Sequence, residues 1–316
     1  MIRRVLRQLT TLATLVSGLV VARVAKAAPE WIFHSGMSSA SAAVAVGTNQ
    51  FLAGSDEDNR LRLYTVAAGG PVIELDVSPW LRLVSRHGEV DLEGAATVGD
   101  RTYWLGSHSR AKDGRERPDR ARLFATQLAT NENRPQLRFV GHPYTGLIEA
   151  LAAAPLLARF HLAEAVRRVP GDGGLNIEGL AAGPRGELWL GFRSPVPEGK
   201  ALLVPLTNPE AVIQGGAAQL GEPVLLDLGG RGVRDIVWSG AEWFVIGGGV
   251  TGGGSSRLYR WRPGTVDTER VDHPGFKRAN PEALAFFGTT AAPRLLVLSD
   301  DGKLSRSRFR SFWVIP

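Results

Sequence analysis

Cysteine is absent from this 316-residue chain, which excludes disulfides, thiolate metal sites and a cysteine nucleophile. Stability must come from the core alone. Neither a Gly-x-Ser-x-Gly nucleophile elbow nor a His-Glu-x-x-His helix occurs, so the usual sequence marks of serine hydrolases and zincins are missing. No basic run with interleaved aromatics is present either. The six histidines and many arginines are scattered among acids, which argues against a nucleic-acid surface.

Long apolar runs are equally scarce, and the one near the start describes delivery. Arg3, Arg4 and Arg7 form a positive region, Leu9 to Ala22 is uncharged and mainly apolar, and Ala25-Lys26-Ala27 supplies a small-x-small site. That order predicts a signal peptide over 1–27, cleaved before Ala28. The apolar stretch is shorter than the roughly 18–20 residues of a membrane-spanning helix, so no membrane span is expected after cleavage. The mature protein is expected in the periplasm or outside the cell, as a monomer. The segment removes Arg3, Arg4, Arg7, Arg23 and Lys26 and no acid, so the formal charge of +6 falls to +1. The high pI of the whole sequence therefore says little about partners.

What the chain does have is a recurring phrase: Asp91-Leu92-Glu93-Gly94-Ala95, Asn176-Ile177-Glu178-Gly179-Leu180, Arg234-Asp235-Ile236-Val237 and Pro281-Glu282-Ala283-Leu284. Each puts a carboxylate before a small or apolar residue and leads into an apolar strand. Glu93 precedes Tyr103-Trp104-Leu105-Gly106 at the separation by which Glu178 precedes Leu188-Trp189-Leu190-Gly191. The intervening Val98-Gly99-Asp100-Arg101 and Gly183-Pro184-Arg185-Gly186 are hairpin turns. Asp235 repeats the arrangement one residue shorter, and Glu282 repeats it through a longer turn. A fifth copy, beginning at Ser41, has serine in place of the carboxylate.

A charged loop and further strand-like runs follow each pair, among them Arg60-Leu61-Arg62-Leu63-Tyr64 and Arg257-Leu258-Tyr259-Arg260-Trp261. Four-stranded antiparallel units at intervals of roughly fifty residues mark an all-β protein, a β-propeller occupying 28–316 as one domain. Five units are readable, predicting five blades. A sixth has room in the interval between the second and third copies, or could be completed from the two termini. One exception is a helical insertion around 144–169, divided at Pro155. It is expected to pack on the rim or to cover the channel.

In a propeller the innermost strands run beside the central channel, so Glu93, Glu178, Asp235 and Glu282 are expected to converge at its mouth. Loops leaving the second strands bring Ser107-His108-Ser109-Arg110, Phe192-Arg193-Ser194-Pro195, Asp56-Glu57-Asp58-Asn59 and Asp300-Asp301 to the same face. Close carboxylates must be protonated, paired with arginine or bound to a cation. Their hard oxygens suit calcium or magnesium. The acids could equally cap backbone amides or pair with Arg110 and Arg193. Asp56-Glu57-Asp58-Asn59-Arg60 hints at a calcium loop but lacks the required glycine. Trp104, Trp189, Trp238, Trp243 and Trp261 are expected between blades rather than on a sugar.

The phrases Asp-Leu-Glu-Gly-Ala, Ser107-His108-Ser109-Arg110, Asn176-Ile177-Glu178-Gly179-Leu180 and Gly191-Phe192-Arg193-Ser194-Pro195 resemble the signature of a bacterial family known only as a domain of unknown function. The resemblance covers nearly all of the mature chain and implies a fold without an activity. Ile177-Glu178-Gly179 is more distantly similar to secreted esterase-like phytase domains and to the Glu-Gly-Pro phrase of gluconolactonase propellers. That glutamate is a metal ligand there, whereas this chain has Leu180 in place of the proline.

Two functions remain open. One is a metal-assisted hydrolase of phosphate esters or lactones, with Glu93, Glu178, Asp235 and Glu282 as ligands. Glu93, Glu178 and His108 would do acid–base work, and Ser107, Arg110 and Arg193 would hold an anionic substrate. The other is a non-catalytic propeller whose mouth binds a small ligand or a protein.

Overall fold

The computed structural model describes residues 28–132, 134–251, 255–302, 304–305 and 307–316. The expected signal peptide lies outside them. Strand β1 (Ile32–Ser35) is followed by β2 (Ala42–Val46), β3 (Gln50–Ser55), β4 (Asp58–Thr65) and β5 (Ile73–Asp76), which form the first blade. The second comprises β6 (Leu92–Val98), β7 (Arg101–Gly106), β8 (Leu123–Asn131) and β9 (Arg134–Tyr144). Next come β10 (Asn176–Ala182), β11 (Leu188–Ser194), β12 (Ala201–Leu206) and β13 (Val224–Leu226). Blade four contains β14 (Gly232–Trp238), β15 (Trp243–Gly248), β16 (Arg257–Trp261) and β17 (Thr268–Val271). The last, β18 (Pro281–Gly288), β19 (Pro293–Ser299) and β20 (Arg308–Val314), takes β1 as its outer strand, so the two ends of the described chain close the ring. The described residues thus form a five-bladed propeller of four-stranded antiparallel blades, with no sixth.

Period-two alternation builds the ring, because successive side chains of a strand point to opposite faces. In β3, Phe51 and Ala53 join the core shared with blade five while Leu52 joins that shared with blade two. In β15, Trp243 and Val245 face blade three, and Phe244 and Ile246 face blade five. Five apolar cores result, one at each blade interface. The tryptophans serve them: Trp243 stacks on Trp261 at 5.5 Å and meets Trp189 edge-on at 5.6 Å. Trp104 is fully buried, its indole N–H donating to Thr126 at 2.9 Å.

The glycine of the recurring phrase has a packing cause. The inner strands converge on the axis, and a Cβ on Gly94 would lie 2.7 Å from Cβ of Leu180, and one on Gly179 2.7 Å from Cγ1 of Val233. The insertion folds as α1 (Leu147–Ala153), a 3-10 stretch over Pro155–Phe160 and α2 (Leu162–Ala165). Leu147, Leu151, Leu157, Phe160 and Leu162 sink into the core between blades two and three. The insertion is therefore fixed against the rim, and the chain after it, Val169 to Gly171, forms one wall of the channel mouth.

Candidate functional site

Four of the five inner strands open with the same irregularity. Register is broken across Glu93 in β6, Glu178 in β10, Arg234 in β14 and Glu282 in β18. One extra residue in each case is turned out of the ladder, as in a β-bulge. Strand β2 pairs without a break, and Ser41 stands just before it. The mouth is thus rimmed by Ser41, Glu93, Glu178, Arg234 and Glu282, one from each blade.

This corrects the expectation for Asp235. Asp235 faces Ile246 as Gly94 faces Leu105, so it occupies the glycine position of its copy and Arg234 the glutamate position. Its carboxylate accepts the amide N–H groups of Ile236 at 2.8 Å and Leu284 at 2.7 Å, clasping blade four to blade five. Burial pushes its pKa well above the ordinary value, and those amides act against the rise. With both oxygens occupied by backbone, Asp235 is not placed to ligate a metal at the mouth.

Arg234 pairs with Glu282 and lies 3.8 Å from Glu178. Glu178 Oε1 also accepts from Arg193 at 2.6 Å and from Asn176 Nδ2 at 2.9 Å. Glu282 accepts in addition from Asn280 at 3.1 Å and Ser41 at 3.5 Å. Three glutamates therefore share the rim with one arginine, which serves two of them. No hydrogen bond or ion pair engages Glu93 among the described residues. Burial foremost, and then the charges of Glu178, Asp91 and Asp56, raise its pKa well above the usual range, with Arg234 opposing.

Glu93 lies in a cavity of about 700 Å³ whose walls include Asp56, Asp91, Arg120, Asn176, Glu178 and Arg193. One carboxylate oxygen each from Asp56, Asp91 and Glu93 lie within 4.8 Å of one another. Asp91 pairs with Arg120 at 2.8 Å, yet burial carries its pKa up to about 7 against Arg120 and Ser107. Asp56 is raised by burial, while hydrogen bonds from Ser39 and Ser41 hold it down. Opposed oxygens around Ca²⁺ stand about 4.6–5.2 Å apart, against about 4.2 Å for Mg²⁺. The group thus fits within a calcium sphere, and Asn176 adds an unpaired carbonyl oxygen to the same cavity.

Sequence reasoning singled out neither Asp91, Arg120 nor Arg234, and Asp56 only as part of a loop. Asp91 was visible as the first letter of Asp-Leu-Glu-Gly-Ala. Arg234 was signalled by the one-residue shortening, which disappears when the copy is aligned on Arg234.

The remaining expected residues are distributed differently. Glu282 belongs to the rim but not to the cavity wall. His108 is a correction: it does not line the cavity. Its Nδ1 sits 2.7 Å from Gly106 O, and burial pushes the ring down to about 4, so it is neutral and buried rather than a proton carrier at the mouth. Ser107 is also buried, 2.9 Å from Ser109 Oγ, and steadies Asp91 from behind. Arg110 lines the cavity with its guanidinium engaged by Val166 O at 2.9 Å, Gly114 O at 3.0 Å and Glu116 at 2.6 Å. Arg193 divides itself between Glu178 and Gly249 O at 3.0 Å.

A family model described as "Protein of unknown function (DUF3616)" matches residues 39–144 and 141–311. The chain belongs to this family. The match to DUF3616 runs through all five blades and includes the positions of Glu93, Glu178 and Glu282. No curated protein matches the chain. Among solved structures it is similar to a glutaminyl cyclase of Myxococcus xanthus, at 14% identity and TM-score 0.50, over 91% of this chain and 95% of that one. It is also similar to an engineered GH43 glycoside hydrolase, at 8% identity and TM-score 0.50, over 90% of this chain and 52% of that one. A putative oxidoreductase (glucose dehydrogenase) of Thermus thermophilus aligns at 15% identity, TM-score 0.46, over 91% of this chain and 100% of that one. At these identities the likeness is one of fold alone.

Proposed function

We propose that this DUF3616 protein is exported and binds a divalent cation, calcium by size, at the channel mouth, where it hydrolyses a small anionic phosphate ester or lactone. The observation that carries the reading is the convergence of Asp56, Asp91 and Glu93 around a point where Glu93 has no ion-pair or hydrogen-bond partner among the described residues. Asp56, Asp91 and Glu93 would hold the ion. Bound there, a cation polarises a carbonyl or phosphoryl oxygen and lowers the pKa of water.

The chain's own residues divide the remaining work. Arg120 orients Asp91 at 2.8 Å, and Ser41 orients Asp56 at 3.1 Å. Arg193 and Asn176 fix Oε1 of Glu178, leaving Oε2, with Arg234 no nearer than 3.8 Å, as its less engaged oxygen. The buried, neutral state of His108 favours a second reading, a non-catalytic propeller that binds the same cation and ligand.

Elemental analysis and calcium titration of the mature protein test the cation. A phosphatase, esterase and lactonase panel with and without chelator then separates the two readings. A stoichiometric ion with chelator-sensitive turnover supports the hydrolase, and a stoichiometric ion without turnover supports the binder. If neither calcium nor magnesium binds, both fail as stated.

A further inference from the structure

The mouth is crowded with cations, and nearly all have partners. Arg110 is held by Glu116, Arg115 by Asp113, Arg120 by Asp91 and Glu89, and Arg193 by Glu178. Two more side chains line the same cavity, Lys112 and Arg117. Neither makes a hydrogen bond or ion pair among the described residues. Asp113, bound to Arg115, feels Arg117 only at longer range. Nε of Arg117 is moreover buried without a hydrogen-bond acceptor. A guanidinium N–H removed from water and left unmatched is unfavourable unless a ligand supplies the acceptor.

The loop that carries Arg117 is held at both ends. Before it, Arg110 grips Gly114 O and Glu116 and reaches across to Val166 O of the insertion. After it, the buried carboxylate of Asp119 accepts the amides of Val84 at 2.6 Å and Ser85 at 3.0 Å and pairs with Arg122. An arginine on a loop ordered beforehand loses little freedom on binding.

We infer that Arg117, assisted by Lys112, is the anion-binding subsite of the mouth, and that it selects ligands carrying an oxyanion. Arg110 and Arg193, the arginines that sequence alone nominates, instead hold the walls. The inference rests on the mouth being a ligand site. It does not require the cation, since Arg117 pairs with none of Asp56, Asp91 and Glu93. The shared chemistry is an oxyanion that accepts two N–H bonds at once, supplied by a phosphate or a carboxylate.

The test is calorimetric titration of the mature protein with inorganic phosphate and, separately, with succinate, each with calcium and with chelator. Binding of either probe is expected, with phosphate distinguished from carboxylate by which of the two binds more tightly. Arg117→Gln should weaken the preferred probe about tenfold or more, Lys112→Gln less. Calcium binding should be the same in Arg117→Gln as in wild type. Phosphate and succinate both failing to bind wild type, or binding Arg117→Gln as well as wild type, overturns the inference. Should Arg117→Gln lower the melting temperature, Arg117→Lys decides: recovered stability without recovered oxyanion affinity supports the bidentate subsite, and unchanged affinity in both variants overturns it. Failure of calcium to bind wild type would instead remove the cation reading and leave the oxyanion result standing.

Discussion

The same five inner strands line both ends of the channel, yet the two ends have opposite chemistry. At the mouth stand Glu93, Glu178, Arg234 and Glu282. Further along, the strands enclose a space of about 160 Å³ lined by Ala43, Val44, Ala95, Ala96, Leu180, Ala181, Ile236, Leu284 and their neighbours. Thr97 is the one polar residue in that lining, and a charge placed there without a partner would be costly. At the mouth, a loop delivers Arg120, the start of the inner strand β10 delivers Asn176, and the second strand β11 delivers Arg193. The bulges lie at this end, where one extra residue turns a side chain out of the ladder.

The sharpest way to break that contrast is to remove the shared cation of the rim. Arg234→Met would leave Glu178 and Glu282 short of a partner and is expected to cost about 3–5 kcal/mol, read as a lowered denaturation midpoint. A mutation at the other end should unfold without touching the site. Leu180→Ala opens a cavity between the inner strands and is expected to cost about 2–5 kcal/mol. Its calcium affinity should equal that of wild type, and a joint loss of both would mean that the two ends are not independent.

Calcium should act at the mouth alone. At a hundredfold excess over its dissociation constant it should add about 2.7 kcal/mol to stability, seen as a raised melting temperature that Glu93→Gln abolishes. Without calcium, Asp91 sets a pH dependence. Its pKa rises from 3.8 in the unfolded chain to about 7 in the folded one. Its stabilising share is therefore complete below about pH 4 and declines as pH climbs towards 7. In chelator, Asp91→Asn should reduce that slope, to which Glu93, Asp56 and Asp235 also contribute, as measured by melting temperature from pH 4 to 8. The smallest effect belongs to Glu93→Gln itself. Removing an unmatched carboxylate should leave chelated protein within about 1 kcal/mol of wild type, or above it.

Much of the architecture was legible in the sequence because strand alternation and hairpin turns are local. The blade period, the split at Pro155 and the packing role of the tryptophans all follow from neighbours within about fifty residues. The site was legible only in outline. Glu93 and Glu178 were identified as mouth residues, whereas Asp235 was given a ligand's place because one carboxylate in a repeat looks like another. A single register step separates Arg234 in the rim from Asp235 in the interface, and that step exists only in the paired strands. His108 reads as a surface base until its burial against Gly106 is seen.

By itself the sequence determined five repeating hairpins, each opening on a polar residue followed by a small or apolar one, and so a ring with polar side chains around its mouth. Tertiary structure decided which of those charges neutralise each other. Arg234 reaches Glu178 and Glu282 across blade boundaries, and Asp56, Asp91 and Glu93 meet from two blades and a loop. The reason is physical: the energy of a charge depends on its distance from others and from water, and chain spacing fixes neither.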